Sequence, residues 1–192
     1  KEILRSNKTT QFATAVLMKC WVNPEPELIP LRDAGITILK DKKENPLPIH
    51  FGMLSAAYPY WYNIAFQLGR LLNLQESVEA SRVLGRIMEN YGDRQTIART
   101  ANYVFRSLIA WGLIEDKDHK GNYVKGNRIV IDEPQTAAFL VASSFYAIDS
   151  RNVDFESIRR SPALFAFDLG DIYPEDLPKV CSSLEITRIG SD

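Results

Sequence analysis

The stretch that decides the fold runs from Glu79 to Asp132: EASRVLGRIMENYGDRQTIARTANYVFRSLIAWGLIEDKDHKGNYVKGNRIVID. Apolar residues recur at helical spacing in two blocks, separated by Tyr91-Gly92-Asp93. In the first block Val78, Val83, Leu84, Ile87 and Met88 share an inward face, with Ser77 placed to cap the helix. In the second, Ile97, Ala101, Val104 and Leu108 form one tight stripe, flanked by Ala98, Phe105 and Ile109. Tyr91-Gly92 supplies the turn between the blocks and Asp93 the second cap. The helical pattern stops at Trp111-Gly112. Leu113–Lys117 and Tyr123–Val124 then read as strands joined through His119-Lys120-Gly121-Asn122. Lys125-Gly126-Asn127 is a second tight turn or a bulge, and Arg128–Ile131 a continuing strand. The layout is helix, tight turn, helix, hairpin.

Upstream, Thr10–Trp21 is apolar enough for a first helix, and Pro24, Pro26 and Pro30 keep the following segment extended or turning. Ala34–Leu39 is ambiguous between strand and helix, and 41–48 reads as a charged loop. His50–Leu74 is the most apolar stretch; Pro59 starts or kinks a helix in which positions 64, 65, 68, 71 and 72 form a stripe. Downstream, Pro134–Ile148 reads as a helix, Ser161–Leu169 as a short apolar segment, Tyr173–Leu184 as a small helix from Pro174, and Leu184–Ile189 as a strand with no visible partner. The expected protein is mainly α with a small β hairpin. Its segments are an N-terminal helical extension and Pro-rich loop (1–49), the helix-turn-helix and hairpin unit (50–132), and a C-terminal helical extension ending in a short strand (133–192).

The chemistry of the second helix gives the functional lead. Opposite its apolar stripe lie Gln95, Arg99, Asn102, Tyr103 and Arg106, and no Asp or Glu occurs between Arg94 and Ile114. Arg binds a guanine edge or a phosphate, and Asn or Gln binds adenine bidentately. Arg94 and Thr96 fall in the first turn, where N–H groups and hydroxyls hold phosphate. Lys117, Lys120, Lys125 and Arg128 fall on or beside the hairpin, suited to phosphates or to protecting a strand edge. Net charge over the whole chain is −1. From Arg82 to Arg128, nine Lys/Arg face five Asp/Glu, which makes that segment +4 and the rest −5.

YGDRQTIARTANYVFRSLIAWGLIE resembles the winged helix-turn-helix superfamily, over roughly a third of the chain. Together with HFGMLSAAYPYW and SPALFAFDL, it also resembles a bacterial family of no assigned activity. The resemblance implies a winged helix-turn-helix core with flanking helices in a bacterial cytoplasmic protein. Winged helices bind DNA or protein, so fold alone does not decide.

Other classes find little support. Cys20 and Cys181 have no local pair and read as buried thiols of a reducing compartment. No apolar run reaches the ~18 residues of a membrane helix and no signal peptide is read, although a start at Lys1 and a strand-like end leave both termini open to trimming. His50 and His119 are too isolated for a metal site, and neither a phosphate-loop nor a nucleophile-elbow motif is present. Asp168, Asp171, Glu175 and Asp176 read as caps and solvated charges rather than a metal cluster. The expectation is therefore no enzyme, metal or cofactor. Tyr58-Pro-Tyr-Trp-Tyr62 is either core or a surface for a protein partner or a second copy. The leading reading is duplex DNA binding, for transcription regulation or as the DNA-recognition part of a larger assembly. Gln95, Arg99, Asn102, Tyr103 and Arg106 would then line the DNA face, and Arg94, Thr96, Lys120, Lys125 and Arg128 would hold phosphates. The alternative is a protein-binding adaptor with the same unit as scaffold.

Overall fold

Prolines mark where several helices begin, because a proline in the first turn forfeits only an N–H that has no helical partner. Pro30, Pro48, Pro59 and Pro134 each occupy one of the first two positions of a helix. The structure, a computed structural model, describes residues 7–40, 45–92, 95–148 and 152–187. In chain order, α1 (Asn7–Leu17) runs into a π-helical turn at Met18–Val22, and a 3-10 turn at Pro26–Leu28 leads to α2 (Ile29–Lys40). Then come α3 (Leu47–Ala57), α4 (Pro59–Leu72), β1 (Val78–Glu79), α5 (Ala80–Tyr91) and α6 (Gln95–Ala110). β2 (Ile114–Asp116), β3 (Asn122–Lys125), β4 (Ile129–Val130) and α7 (Pro134–Ala147) follow. The chain continues through α8 (Phe155–Arg159), a 3-10 helix at Pro162–Leu164, β5 (Phe167–Asp168), a 3-10 turn at Pro174–Asp176, and α9 (Leu177–Val180). The protein is mainly helical with a small β component, as its sequence leads one to expect.

α4 is the centre of the molecule. On one side it meets α5, α6 and β1; on the other it meets α3, α7 and the Pro162–Leu164 3-10 helix. The last approach is close enough to require glycine: a Cβ on Gly69 would overlap the Pro162 carbonyl oxygen and lie 2.8 Å from Phe165 Cδ1. α7 packs on α2, α3, α4 and α9, and Phe139, Leu140, Val141 and Ala142 are fully sealed. Such a helix is apolar all round because it has no solvent side. Its Ser143 and Ser144 hydroxyls satisfy themselves by donating to the carbonyls of Phe139 and Leu140.

The first sheet has the order β1-β3-β2, all antiparallel, with Val78 opposite Tyr123 and Ile114 opposite Lys125. This corrects the placement of Ser77 as a helix cap. Val78 and Glu79 pair with β3, so α5 starts only at Ala80, and the residue before it is Glu79, whose side chain makes no capping bond. Arg128–Ile131 also leaves the hairpin. The amides of Gly126 and Asn127 make the last bonds, to the carbonyls of Leu113 and Gly112. A Cβ on Gly126 would collide with that Gly112 carbonyl. β4 then pairs in parallel with β5, Ile129 opposite Phe167. Ala34–Leu39 resolves as part of α2, since Leu31, Gly35 and Ile38 face the core at helical spacing. Residues 184–187 form no strand pair, and the rest of the expected C-terminal strand lies outside the described residues. Among the described residues no helix is long and apolar enough to cross a membrane.

Candidate nucleic-acid interface

The apolar stripe of α6 is what aims its other side outward. Ala101, Val104, Phe105 and Leu108 are buried, and Phe105 packs on Tyr123 of β3 with ring centres 5.1 Å apart. Near its N-terminus α6 is tied to α4, because the Tyr60 hydroxyl donates to the Ile97 carbonyl at 2.9 Å. Gln95, Thr96, Arg99, Asn102, Tyr103 and Arg106 are consequently all exposed. The side chains of Gln95, Arg99, Asn102 and Arg106 make no hydrogen bond or ion pair with any described residue. By contrast, the Thr100 and Ser107 hydroxyls fold back onto the carbonyls of Thr96 and Tyr103. The donors on this face are free for an outside acceptor, and no carboxylate on the helix competes for them. Asp93 and Arg94, expected as cap and phosphate ligand, lie outside the described residues.

Phe12 of α1, which no local sequence pattern places here, lies 5.4 Å from the Tyr103 ring at a tilt of 34°. It edges the α6 face while remaining 54% exposed itself.

The turn between β2 and β3 is tight. Asp118 and Gly121 adopt φ of 61° and 93°, and the Gly121 amide donates to Asp116 Oδ1 at 2.8 Å. Lys117 sits 2.7 Å from Glu76, and its ammonium holds that carboxyl below the usual range. His119 Nε2 is 3.2 Å from Glu79 Oε1. Lys120 is exposed and its ammonium makes no hydrogen bond or ion pair with a described residue. With Glu115, Asp116 and Asp118 beside Lys117 and Lys120, the turn carries more acid than base. On this side of the molecule the basic face without competing acid is that of α6, with Arg99 and Arg106.

Lys125 and Arg128 are brought together elsewhere. Because Lys125 is opposite Ile114, it occupies the end of the hairpin away from the turn. Its ammonium donates to Asn73 Oδ1 at the C-terminus of α4 (2.7 Å), and Arg128 lies 3.4 Å from Asp168. Both line a cleft of about 520 Å³ with Arg159 and Arg160, two residues that no motif in the sequence singles out.

The aromatic cluster packs mainly into the interior, the core alternative of the two that its sequence left open. Trp61 and Tyr62 are buried and Tyr58 and Tyr60 half-buried. Five bulky residues fit because α4 is enclosed on two sides. Trp61 meets Phe51 and Trp111, Tyr60 meets Tyr91, and the Tyr62 hydroxyl shares a 2.7 Å bond with Ser161.

The remaining titratable groups are structural in their contacts. Cys20 and Cys181 are both buried and unbridged; burial pushes the Cys20 thiol up to about 11. Tyr146, with its hydroxyl 3.4 Å from Cys181 Sγ, is pushed by burial to about 12. His50 packs edge-on against Trp21 at 5.4 Å. Asp176 caps the amide of Tyr173 and pairs with Lys179 at 2.9 Å, which holds it below the usual carboxylate range. Among the described residues, no three His, Cys, Asp or Glu side chains converge as a metal site requires.

No protein-family model matches this chain, and no curated protein or solved structure matches it.

Proposed function

We propose that residues 50–132 form a winged helix-turn-helix unit that binds duplex DNA, with α6 as the helix that enters the major groove. The observation that carries this reading is the outer face of α6: exposed Gln95, Arg99, Asn102 and Arg106, with no hydrogen bond or ion pair to any described residue, on a helix without a carboxylate. These are the residue types that read base edges and grip phosphates. The order α4, β1, α5, α6, β2, β3, with β3 central in its sheet, supports the reading because it sets a hairpin directly after the second of two packed helices. On this reading Lys120 reaches phosphate from the turn. The protein acts in the cytoplasm as a regulator or as the DNA-recognition part of a larger bacterial assembly. A pair of copies would suit half-sites one helical turn apart.

The test is binding to a random-sequence duplex pool at two salt concentrations, parent against Arg99→Ala/Arg106→Ala. Each phosphate contact removed lowers the log–log salt slope by about 0.9. Arg99→Ala alone should cost about 1–3 kcal/mol on the selected site if it reads a base. Binding that the double variant retains at full strength overturns the assignment of α6.

A protein-binding adaptor is the second reading, favoured by the exposed apolar residues Phe12, Leu17, Met18 and Val22 along α1 and the turn after it. Duplex binding through several phosphates weakens steeply with salt, whereas an apolar interface on α1 does not.

A further inference from the structure

The cleft beneath the hairpin has the composition of a ligand site. Its basic rim comes from three places: Lys125 at the end of β3, Arg128 in the link to β4, and Arg159 and Arg160 at the end of α8. The local counter-charge is short. Glu156 serves both Arg159 (3.4 Å) and Arg160 (3.0 Å), Asp168 serves Arg128, and Lys125 has only the neutral Asn73. Four cations therefore face two carboxylates. Arg159 Nε, shielded from solvent, has no acceptor at all. The floor is apolar, built from Leu113, Leu164, Phe165, Phe167 and Leu169. At about 520 Å³ the cleft is in the range that takes a small molecule.

We propose that this cleft binds a small organic phosphate, its anionic group among Lys125, Arg128 and Arg160 and its apolar part on Phe165 and Phe167. Arginine forks and a lysine match a phosphate's several oxygens, and an aromatic floor distinguishes an organic phosphate from the free ion. Nothing in this inference depends on DNA binding by α6, since it is measured on the protein alone.

The experiment follows backbone amides of the isotopically labelled full chain during titration with phenyl phosphate, then with inorganic phosphate. The expected result is saturable movement at Gly126 and Ala166, about tenfold tighter for phenyl phosphate. Lys125→Gln/Arg160→Gln, both at exposed positions, should weaken it at least about tenfold. Arg99→Ala/Arg106→Ala should leave it unchanged. Absence of saturable movement, undiminished binding by the Gln double variant, or movement confined to α6 overturns the proposal. A short duplex that moves Gly126 and Ala166 more strongly than phenyl phosphate also overturns it, by making the cleft a seat for the DNA backbone.

Discussion

Substituting alanine at two glycines should have opposite effects on stability, and the difference measures how tightly the two sides of α4 are joined. Gly69 and Gly85 both lie within helices, so each replacement gains about 1 kcal/mol of helix propensity. At Gly85 nothing lies within 4 Å of the added Cβ, so that gain should appear whole. At Gly69 the Cβ meets backbone: it overlaps the Pro162 carbonyl oxygen and lies 2.9 Å from the carbonyl carbon. No side-chain rotation relieves that clash, because α4 and the 3-10 helix must move apart. Overpacking of this kind costs about 1–3 kcal/mol and occasionally more, and a rigid obstacle places Gly69 at the upper end. The net expectation is a loss of about 2 kcal/mol for Gly69→Ala against a gain of about 1 for Gly85→Ala. Urea unfolding followed by circular dichroism and tryptophan fluorescence reads both, provided m is unchanged. A Gly69→Ala protein as stable as Gly85→Ala would refute the packing argument.

Phe139→Ala empties a fully sealed site between α7 and its neighbours and should cost about 3–5 kcal/mol in the same assay. Cys20, raised from an ordinary 9.0 to about 11, should react with iodoacetamide at pH 8 about a hundredfold more slowly than a free thiol, with a rate still rising above pH 10. Its folded value lies above the unfolded one, as does that of Tyr146, so the stability they contribute is intact below about pH 9 and is lost as the pH rises towards 11–12; urea midpoints at pH 7, 9 and 10.5 check the sign.

Period and punctuation made the helices legible. The stripe Ile97, Ala101, Val104, Leu108 predicted which side of α6 is covered, and the opposite residues are exposed as that stripe requires. Pro59 divides α3 from α4 because a proline there lacks the N–H that would continue the preceding helix. What escaped the sequence is long-range pairing. Val78 carries nothing local to say that it opposes Tyr123, nor Ile129 that it opposes Phe167; two-residue strands have no period to read. The same limit hid the cleft, whose two pairs of cations, 125/128 and 159/160, are more than thirty positions apart in the chain, and the approach of Phe12 to Tyr103. Tyr58–Tyr62 was legible only as a choice between core and surface, and the enclosure of α4 on two sides decides for core.

That enclosure has a consequence for modularity. α4 lends one flank to the α5–α6–hairpin unit and the other to α3, α7 and the chain after Arg159. An excised 50–132 fragment would keep its interface residues but lose the covering over Tyr62, Gly69 and the α7-facing side of α3, leaving a raw apolar slab open to water. The unit is thus not portable: grafted elsewhere, it would need a replacement roof before it could be soluble. Sites that tolerate insertion should instead be sought at exposed loop tips, such as the turn at His119-Lys120.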